Sequence, residues 1–574
     1  MILTSHTVKG HVYWDVATSK RILNLPRKQM VLYLGRLDKI SPLAAEQKLS
    51  KVRALGDPSL TLKFESLLVK QGYAVPPSLH SLDLKTVRSY GPELALVRLA
   101  EDIELVSLID SSILKGGGPS LGKMVIALAI YASLRPGSVW RFVEWYKRSP
   151  LPIFIDLPLE QVTYEAALNT LDYLQPIKTR PIETETYSRV RRRFNYACKR
   201  IFIDSTPQEL AGELCKVIAK FGHSKRGGTS KRRQILITFM VDQAGVLLGH
   251  EIFSGNKNDA KTLKSINKRL REEYDEEVRG GARVVDRGYA SLANVRAMKR
   301  KKENFLAALR AHPKSLKLLE EITIPHQDWK EVDKGVRASS VLRKGLKFVV
   351  TWNDEVAKRN RDGREAKMKK AKDDLKALAQ ANAEGRVKSR AERERKVGAI
   401  LRKHGVGRFL KIKGDKKGFG FEVVETGKTQ EKADGDGYQV FVTTEVDMTE
   451  KEVFDAYRTR DIIEKVIRTL KSSLGLGPVY LTKKEHVLGH IYVHALAYQL
   501  RATMALQLKE SQVEMTPEEA LWELEKLQVA ELVVKGEEIG VIRKLTRMDG
   551  VVKKLAHVFM FTKDDRLPGV EVAL

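Results

Sequence analysis

Cysteine is nearly absent: Cys198 and Cys215 are the two in 574 residues. So few thiols exclude a disulfide framework and any zinc site built on cysteines. Long apolar runs are missing too. The longest, Met124 to Leu134, falls well short of the ~20 residues that a membrane-crossing helix needs. The opening residues, MILTSHTVKGHVYWDV, are mixed and polar, without the apolar stretch of a secretion signal. Acidic charge is in deficit, with 102 Lys and Arg against 72 Asp and Glu, a net +30. A like-charge excess of that size opposes compaction unless a polyanion offsets it. Together these deficits predict a reduced, soluble, cytoplasmic protein that meets nucleic acid.

What is present is enough chain for about three to five domains. Residues 1–40 alternate in the β manner (HVYWDVA, KQMVLYLG) and predict an N-terminal hairpin region. Residues 41–190 turn helical, with apolar positions three and four apart in PELALVRLAEDIELVSLI, and are expected to be a DNA-binding region, with plain scaffold as the alternative. From 191 to 310 the pattern is strand, strand, strand, helix, strand, helix, strand. That is the order of a ribonuclease-H-like mixed sheet, so the fold class is α/β. Residues 311–448 read as a strand-rich insertion around a highly charged helical hairpin (KMKKAKDDLKALAQ, RAERERKVGAIL). Residues 449–500 resume the core, and 501–574 predict a C-terminal helical region.

Two motifs invite a site and are set aside. GGPSLGK, Gly117 to Lys123, has the spacing of a phosphate-binding loop, but Met124 stands where the metal-binding Ser or Thr belongs. The residues before it end a helix rather than a buried strand. His486, His490 and His494 recur every four residues, as zinc ligands on one helix face do. They lack the glutamate of that motif, and packing or a DNA contact is the better reading.

Chemistry is carried by acids. Asp204 closes the apolar run KRIFI and Asp286 closes ARVV. Taken singly, each reads as a turn cap or the partner of an arginine such as Arg287. In a ribonuclease-H-like sheet, however, the first and fourth strands are neighbours, which brings the two acids together. The stretch Ala456 to Leu474 reads as one helix that adds a third. Tyr457, Arg460, Glu464 and Lys471 lie at steps of three, four and seven, within roughly 60° of arc at ~100° per residue. Ile463, Val466, Ile467, Leu470 and Leu474 form an apolar stripe beside them. Three hard oxygen donors suit Mg²⁺ or Mn²⁺ rather than zinc. Two such ions suit phosphodiester displacement.

At this point the chain resembles the DDE transposases of bacterial insertion sequences, in the group marked by Tyr-x2-Arg-x3-Glu-x6-Lys. Tyr457, Arg460, Glu464 and Lys471 match that signature, Asp286-Arg287-Gly288-Tyr289 the second-acid motif, and Asp204-Ser205-Thr206 the first. GHSK at Gly222, LGHEIFSGNKND, YLGRL, GPELALVRL and KKEHVLGH are similar to the insertion-sequence-1634 branch. Arg226-Gly227-Gly228 departs from it where many relatives carry an acid. The resemblance implies that Asp204, Asp286 and Glu464 are catalytic and bind two Mg²⁺ or Mn²⁺ ions. It implies that Tyr457, Arg460 and Lys471 hold phosphates of the element's end. Arg287 is a further candidate DNA contact, and Trp352 a candidate for stacking on a flipped base, or else strand core. It also implies cut-and-paste transposition: water cuts at the end, the freed 3′-hydroxyl attacks, and a hairpin precedes joining to target DNA. The expected partners are double-stranded DNA and a second copy of the chain, as a homodimer in a synaptic complex on the bacterial nucleoid. The rival readings are a domesticated, non-catalytic DNA-binding descendant and a nuclease of the same fold that cuts without joining.

Overall fold

Strands with continuous rather than alternating apolar runs need cover on both faces. RIFIDSTPQE (β1, Arg200–Glu209) and QILITFMVD (β2, Gln234–Asp242) are such strands, and every residue of β2 is buried. They lie side by side in a mixed sheet with β3 (Leu247–Ser254), β4 (Ala282–Val285) and β5 (Phe305–Leu309). β1, β2 and β3 make an antiparallel meander, whereas β4 runs parallel to β1 and β5 parallel to β4. Four more strands continue the sheet: β6 (Lys330–Asp333), β7 (Val336–Arg343), β8 (Leu346–Asn353) and β9 (Tyr438–Thr443). The order across all nine is β6-β7-β8-β9-β5-β4-β1-β2-β3. The α/β expectation therefore holds, with many helices around one large mixed sheet.

The structure, a computed structural model, describes residues 1–22, 25–73, 82–211, 218–222, 232–309, 329–387, 389–414, 421–427, 435–534, 541–548, 550–561 and 570–571. Cys215 and His223 to Gly228 lie outside them. The chain divides into two compact units. One comprises Leu99–Val143 and Gln161–Gln512 and holds the nine-stranded sheet. Its helices include α1 (Leu121–Leu134), α2 (Pro176–Arg193), α3 (Asp259–Glu273), α4 (Leu292–Arg300), α5 (Glu450–Arg458), α6 (Asp461–Ser472) and α7 (Lys484–Glu510). α2 and α7 pack on β3, and α1 packs on α7. Gly489 permits a close approach on α7, because a Cβ there would lie 2.5 Å from the Leu171 carbonyl oxygen. A buried polar cluster fastens α2 and α3 to β3. The Arg269 guanidinium meets Glu183 at 2.8 Å and Glu251 at 3.3 Å, and His250 Nδ1 meets Glu183 at 2.5 Å.

Two expectations change here. The strands of the 311–448 segment are not mainly an insertion's own: β6 to β9 belong to the core sheet. What stands apart is the charged pair Asp354–Ala383 and Arg390–His404 with a two-stranded ribbon, Leu410–Gly414 and Phe421–Glu425. These share a thin core of Met368, Ala371, Leu375, Val406 and Leu410. A strand's sequence states its burial but not its partner, so the extension was hidden.

The second unit comprises Met1–Arg98, Glu144–Glu160 and Val513–Leu574. It begins with a three-stranded antiparallel sheet, Ile2–Val8, His11–Ile22 and Leu25–Gly35. Helices Pro42–Arg53 and Pro58–Lys70 cover it around Val16, Leu34, Leu49 and Phe64. The expected C-terminal helical region, 501–574, also holds strands. Gln528–Val534 and Val541–Leu545 are strands, and Gln528–Val534 also pairs with Leu82–Ser89 from far earlier in the chain. Val529 and Leu527 are buried beside Tyr90 and Leu94, so the tail's apolar residues serve a sheet.

Candidate active site

Ile203 on β1 pairs with Val285 on β4, and Asp204 and Asp286 are the next residues on each. The parallel register ends there, so the two acids stand side by side, Asp204 within β1 and Asp286 just past the end of β4, with strands ~4.8 Å apart. The expected short strand ending in an acid is corrected in one respect. β1 runs on to Glu209 and stays paired with β2, Asp204 lying opposite Phe239. Each acid is fixed by the peptide that follows it: Ser205 N–H donates to Asp204 at 2.8 Å and Arg287 N–H to Asp286 at 2.7 Å.

The stretch predicted as one helix from Ala456 to Leu474 is two. α5 ends at Arg458 and α6 begins at Asp461. Between them Arg460, Ile462 and Ile463 donate to carbonyls three residues back, the tighter 3₁₀ pattern. The Thr459 hydroxyl donates to the Ala456 carbonyl at 2.7 Å, a local bond that competes with the regular ladder. The apolar stripe is as expected: Ile463, Val466, Ile467, Leu470 and Leu474 are all buried. It seats α6 against β1 and β2.

That seating brings the signature residues to the acids. The Tyr457 hydroxyl donates to Asp286 Oδ1 at 3.0 Å, and its ring lies 4.8 Å from that of Phe441 on β9. Burial, with Asp286 adding to it, pushes the Tyr457 hydroxyl far above the usual phenol range. Arg460 Nη2 contacts Glu464 Oε1 at 2.6 Å, and Nη1 lies 3.9 Å from Asp204 Oδ2. Burial alone would lower the Arg460 pKa, but Asp286, then Tyr457, Asp204 and Glu464, hold it above its ordinary value. One guanidinium thus stands within the field of all three acids. Lys471 Nζ donates to the Pro207 carbonyl at 2.8 Å, three residues along β1 from Asp204.

Among the described residues, no group of three His, Cys, Asp or Glu side chains is gathered closely enough to hold a metal ion. Asp204 and Asp286 are neighbours, while Glu464, half-exposed, is turned onto Arg460. The donor set itself fits a hard divalent cation, being carboxylate oxygens only.

The remaining candidates scatter. Arg287 is exposed beside the acids. Trp352 lies near the end of β8, three strands from β4, so roughly 14 Å across the sheet at ~4.8 Å per strand. Arg337 stacks on its ring at 4.9 Å. The histidines of α7 form packing contacts: His490 and His494 have ring centroids 4.0 Å apart, and each meets a backbone carbonyl. His486 meets Asp172. The Gly117–Lys123 loop is closed from within, since Asp110 accepts from Gly122 N–H at 2.8 Å and from the Ser120 hydroxyl at 2.6 Å.

Residues to which the sequence assigns no part of their own also converge here. Tyr289 is buried, and its hydroxyl bonds to the Ser205 hydroxyl, which lies 2.6 Å from Thr238 on β2. Burial and then Asp259 push the Tyr289 hydroxyl far up. Asp259, which reads in sequence as a helix-start residue, has its carboxylate beside Gly288. Ser205 and Tyr289 lie inside the two acid motifs, but nothing local points to Thr238 or Asp259.

Acids side by side on adjacent parallel strands of a mixed α/β sheet, overlaid by an arginine and a tyrosine from a packed helix pair, define a carboxylate-centred site. Residues 198–500, more than half of the chain, match the family described as "Transposase DDE domain", and the chain belongs to that family. No curated protein matches it. Among solved structures it is similar to a piggyBac transposase synaptic complex with hairpin DNA. The identity is 9% and the TM-score 0.36, over 76% of this chain and 80% of that one. A likeness that low bears on neither fold nor function. No helix among the described residues is long and apolar enough to cross a membrane.

Proposed function

We propose that this chain is a cut-and-paste DNA transposase of an insertion sequence, cutting the element's ends and joining their 3′-hydroxyls to target DNA. The observation that carries the reading is the convergence of Tyr457 and Arg460 on the paired acids Asp204 and Asp286. The sheet order β3-β2-β1-β4-β5 supports a ribonuclease-H-like core.

Asp204, Asp286 and Glu464 would hold two Mg²⁺ or Mn²⁺ ions. When bound, these supply charge neutralisation and alignment for phosphodiester displacement. Arg460 and Lys471 are cations facing a polyanion, and the fork of Arg460 matches phosphate oxygens. An incoming phosphate can take the place of Glu464 at the Arg460 guanidinium, which returns Glu464 to the acid pair. Lys471 likewise exchanges the Pro207 carbonyl for phosphate. Arg287, exposed at the same edge, is placed for a further backbone contact. Trp352, half-buried toward the same sheet edge, is the candidate for stacking on an unpaired base. Two copies of the chain would pair the two ends. The branch resemblance stays part of this reading, resting on the quoted sequence motifs.

The test is purified protein with DNA carrying the element's ends, Mg²⁺ and a target plasmid. End cleavage with strand-transfer products is expected. Cleavage without joining would support the nuclease reading, and end binding without cleavage the domesticated one.

A further inference from the structure

The two acid loops are bound to each other by something other than the acids. Ser205 follows Asp204 and gives its N–H to that carboxylate. Tyr289 closes the turn begun by Asp286, its N–H donating to the Asp286 carbonyl at 2.9 Å. The hydroxyls of Ser205 and Tyr289 are hydrogen-bonded, and Ser205 also bonds Thr238, its cross-strand partner on β2. Ser205, Thr238 and Tyr289 are all buried, with exposures of 4%, 0% and 1%. Tyr289 is held in turn by Asn294 of α4, whose Nδ2 donates to the Tyr289 carbonyl at 2.7 Å and the Ala260 carbonyl at 2.9 Å.

We infer that Tyr289 is a positioning residue: through the Ser205 and Thr238 hydroxyls it sets the separation and aim of Asp204 and Asp286 for divalent-cation binding. The inference rests on the proposed role of those acids.

The physical case has two parts. The parallel register between β1 and β4 ends at Ile203 and Val285, so strand pairing holds the two acid loops together no further than the acids themselves. Beyond that point a buried hydroxyl chain spans the gap. In addition, hydroxyls away from water are left in their partners' keeping, since an unmade bond there is costly. Whichever hydroxyl donates, the chain fixes the positions of its oxygens, and the carboxylates beside Ser205 and Tyr289 inherit that spacing. Groups that orient metal-binding carboxylates without touching the ion typically change affinity by about 10–100-fold when removed.

The experiment compares the full chain with Tyr289→Phe, Ser205→Ala and the double variant, each without DNA. Mn²⁺ binding is read by titration with paramagnetic resonance detection, and thermal unfolding is recorded alongside. Tyr289→Phe keeps the ring and removes the hydroxyl. It should weaken Mn²⁺ binding by about tenfold, with the Mg²⁺ needed for half-maximal end cleavage rising in step and end binding unchanged. The double variant should lose little more than either single one, because both cut the same chain. Unchanged Mn²⁺ affinity in Tyr289→Phe, even with a lowered melting temperature, would overturn the inference and leave the acid assignment standing. Failure of the unsubstituted protein to bind Mn²⁺ would overturn both.

Discussion

The Tyr457 hydroxyl donates to Asp286 at 3.0 Å across 171 residues of sequence. This one bond ties a residue of the Tyr-x2-Arg-x3-Glu-x6-Lys signature to an acid at the end of β4. Beside it Arg460 sits between Asp204 and Glu464. Tyr457 and Arg460 therefore act directly on the acids.

Replacement of an acid should remove chemistry and spare binding. Asp286→Asn or Glu464→Gln is expected to lower end cleavage by at least about a thousandfold, equivalent to about 4 kcal/mol of transition-state stabilisation. Gel-shift affinity for the element's end should stay within a few-fold. Ordinary cleavage by either variant would refute the triad.

Arg460 offers a different signature. Arg460→Ala should weaken end binding and lower the slope of log affinity against log salt by about one, the mark of a lost phosphate contact. An unchanged slope would count against a phosphate role and leave Arg460 as a partner of Glu464 only.

Arg269 tests the scaffold rather than the site. It is buried between Glu183 and Glu251, so Arg269→Met takes a cation from both carboxylates and leaves Glu183 facing His250 and Glu251 facing Arg180. Loss of one partner from a buried ion pair costs about 3–5 kcal/mol. Urea unfolding should show a loss of that order.

The buried histidines of α7 make stability depend on pH. Burial holds His494 down to about 4 and His490 well below its usual range. Both stay neutral in the folded chain while the unfolded chain takes up protons below about pH 6.5. The stability they contribute is thus complete above that pH and is lost as pH falls toward the folded values. The loss approaches about 1.4 kcal/mol per pH unit for each group. His494→Asn should flatten the profile between pH 6 and 4; an equally steep profile would rule His494 out as its source.

Much of the core is legible in the order of the amino acids. The runs RIFI, QILITFMV and ARVV are short and rich in β-branched residues, so they read as strands covered on both faces, which makes an α/β sheet readable, and the stripe from Ile463 to Leu474 marks the face that packs. Asp204 and Asp286 can be singled out as a pair because each closes such a run, and Glu464 because it shares a helix arc with Tyr457, Arg460 and Lys471. The break at Thr459 is not legible, since both of its neighbouring segments are good helix and the deciding bond is a single hydroxyl to a carbonyl.

The sequence by itself therefore determined the kinds of element, the faces they bury and the acids available for chemistry, because burial and helix or strand period are local properties. Pairing is not local. Only the tertiary structure decided that β9 joins β5 and extends the core, that Leu82–Ser89 meets Gln528–Val534, and that Ile203 and Val285 share a register. That last register sets Asp204 beside Asp286, and the seating of α6 sets Arg460 among the acids, where its charge holds Glu464.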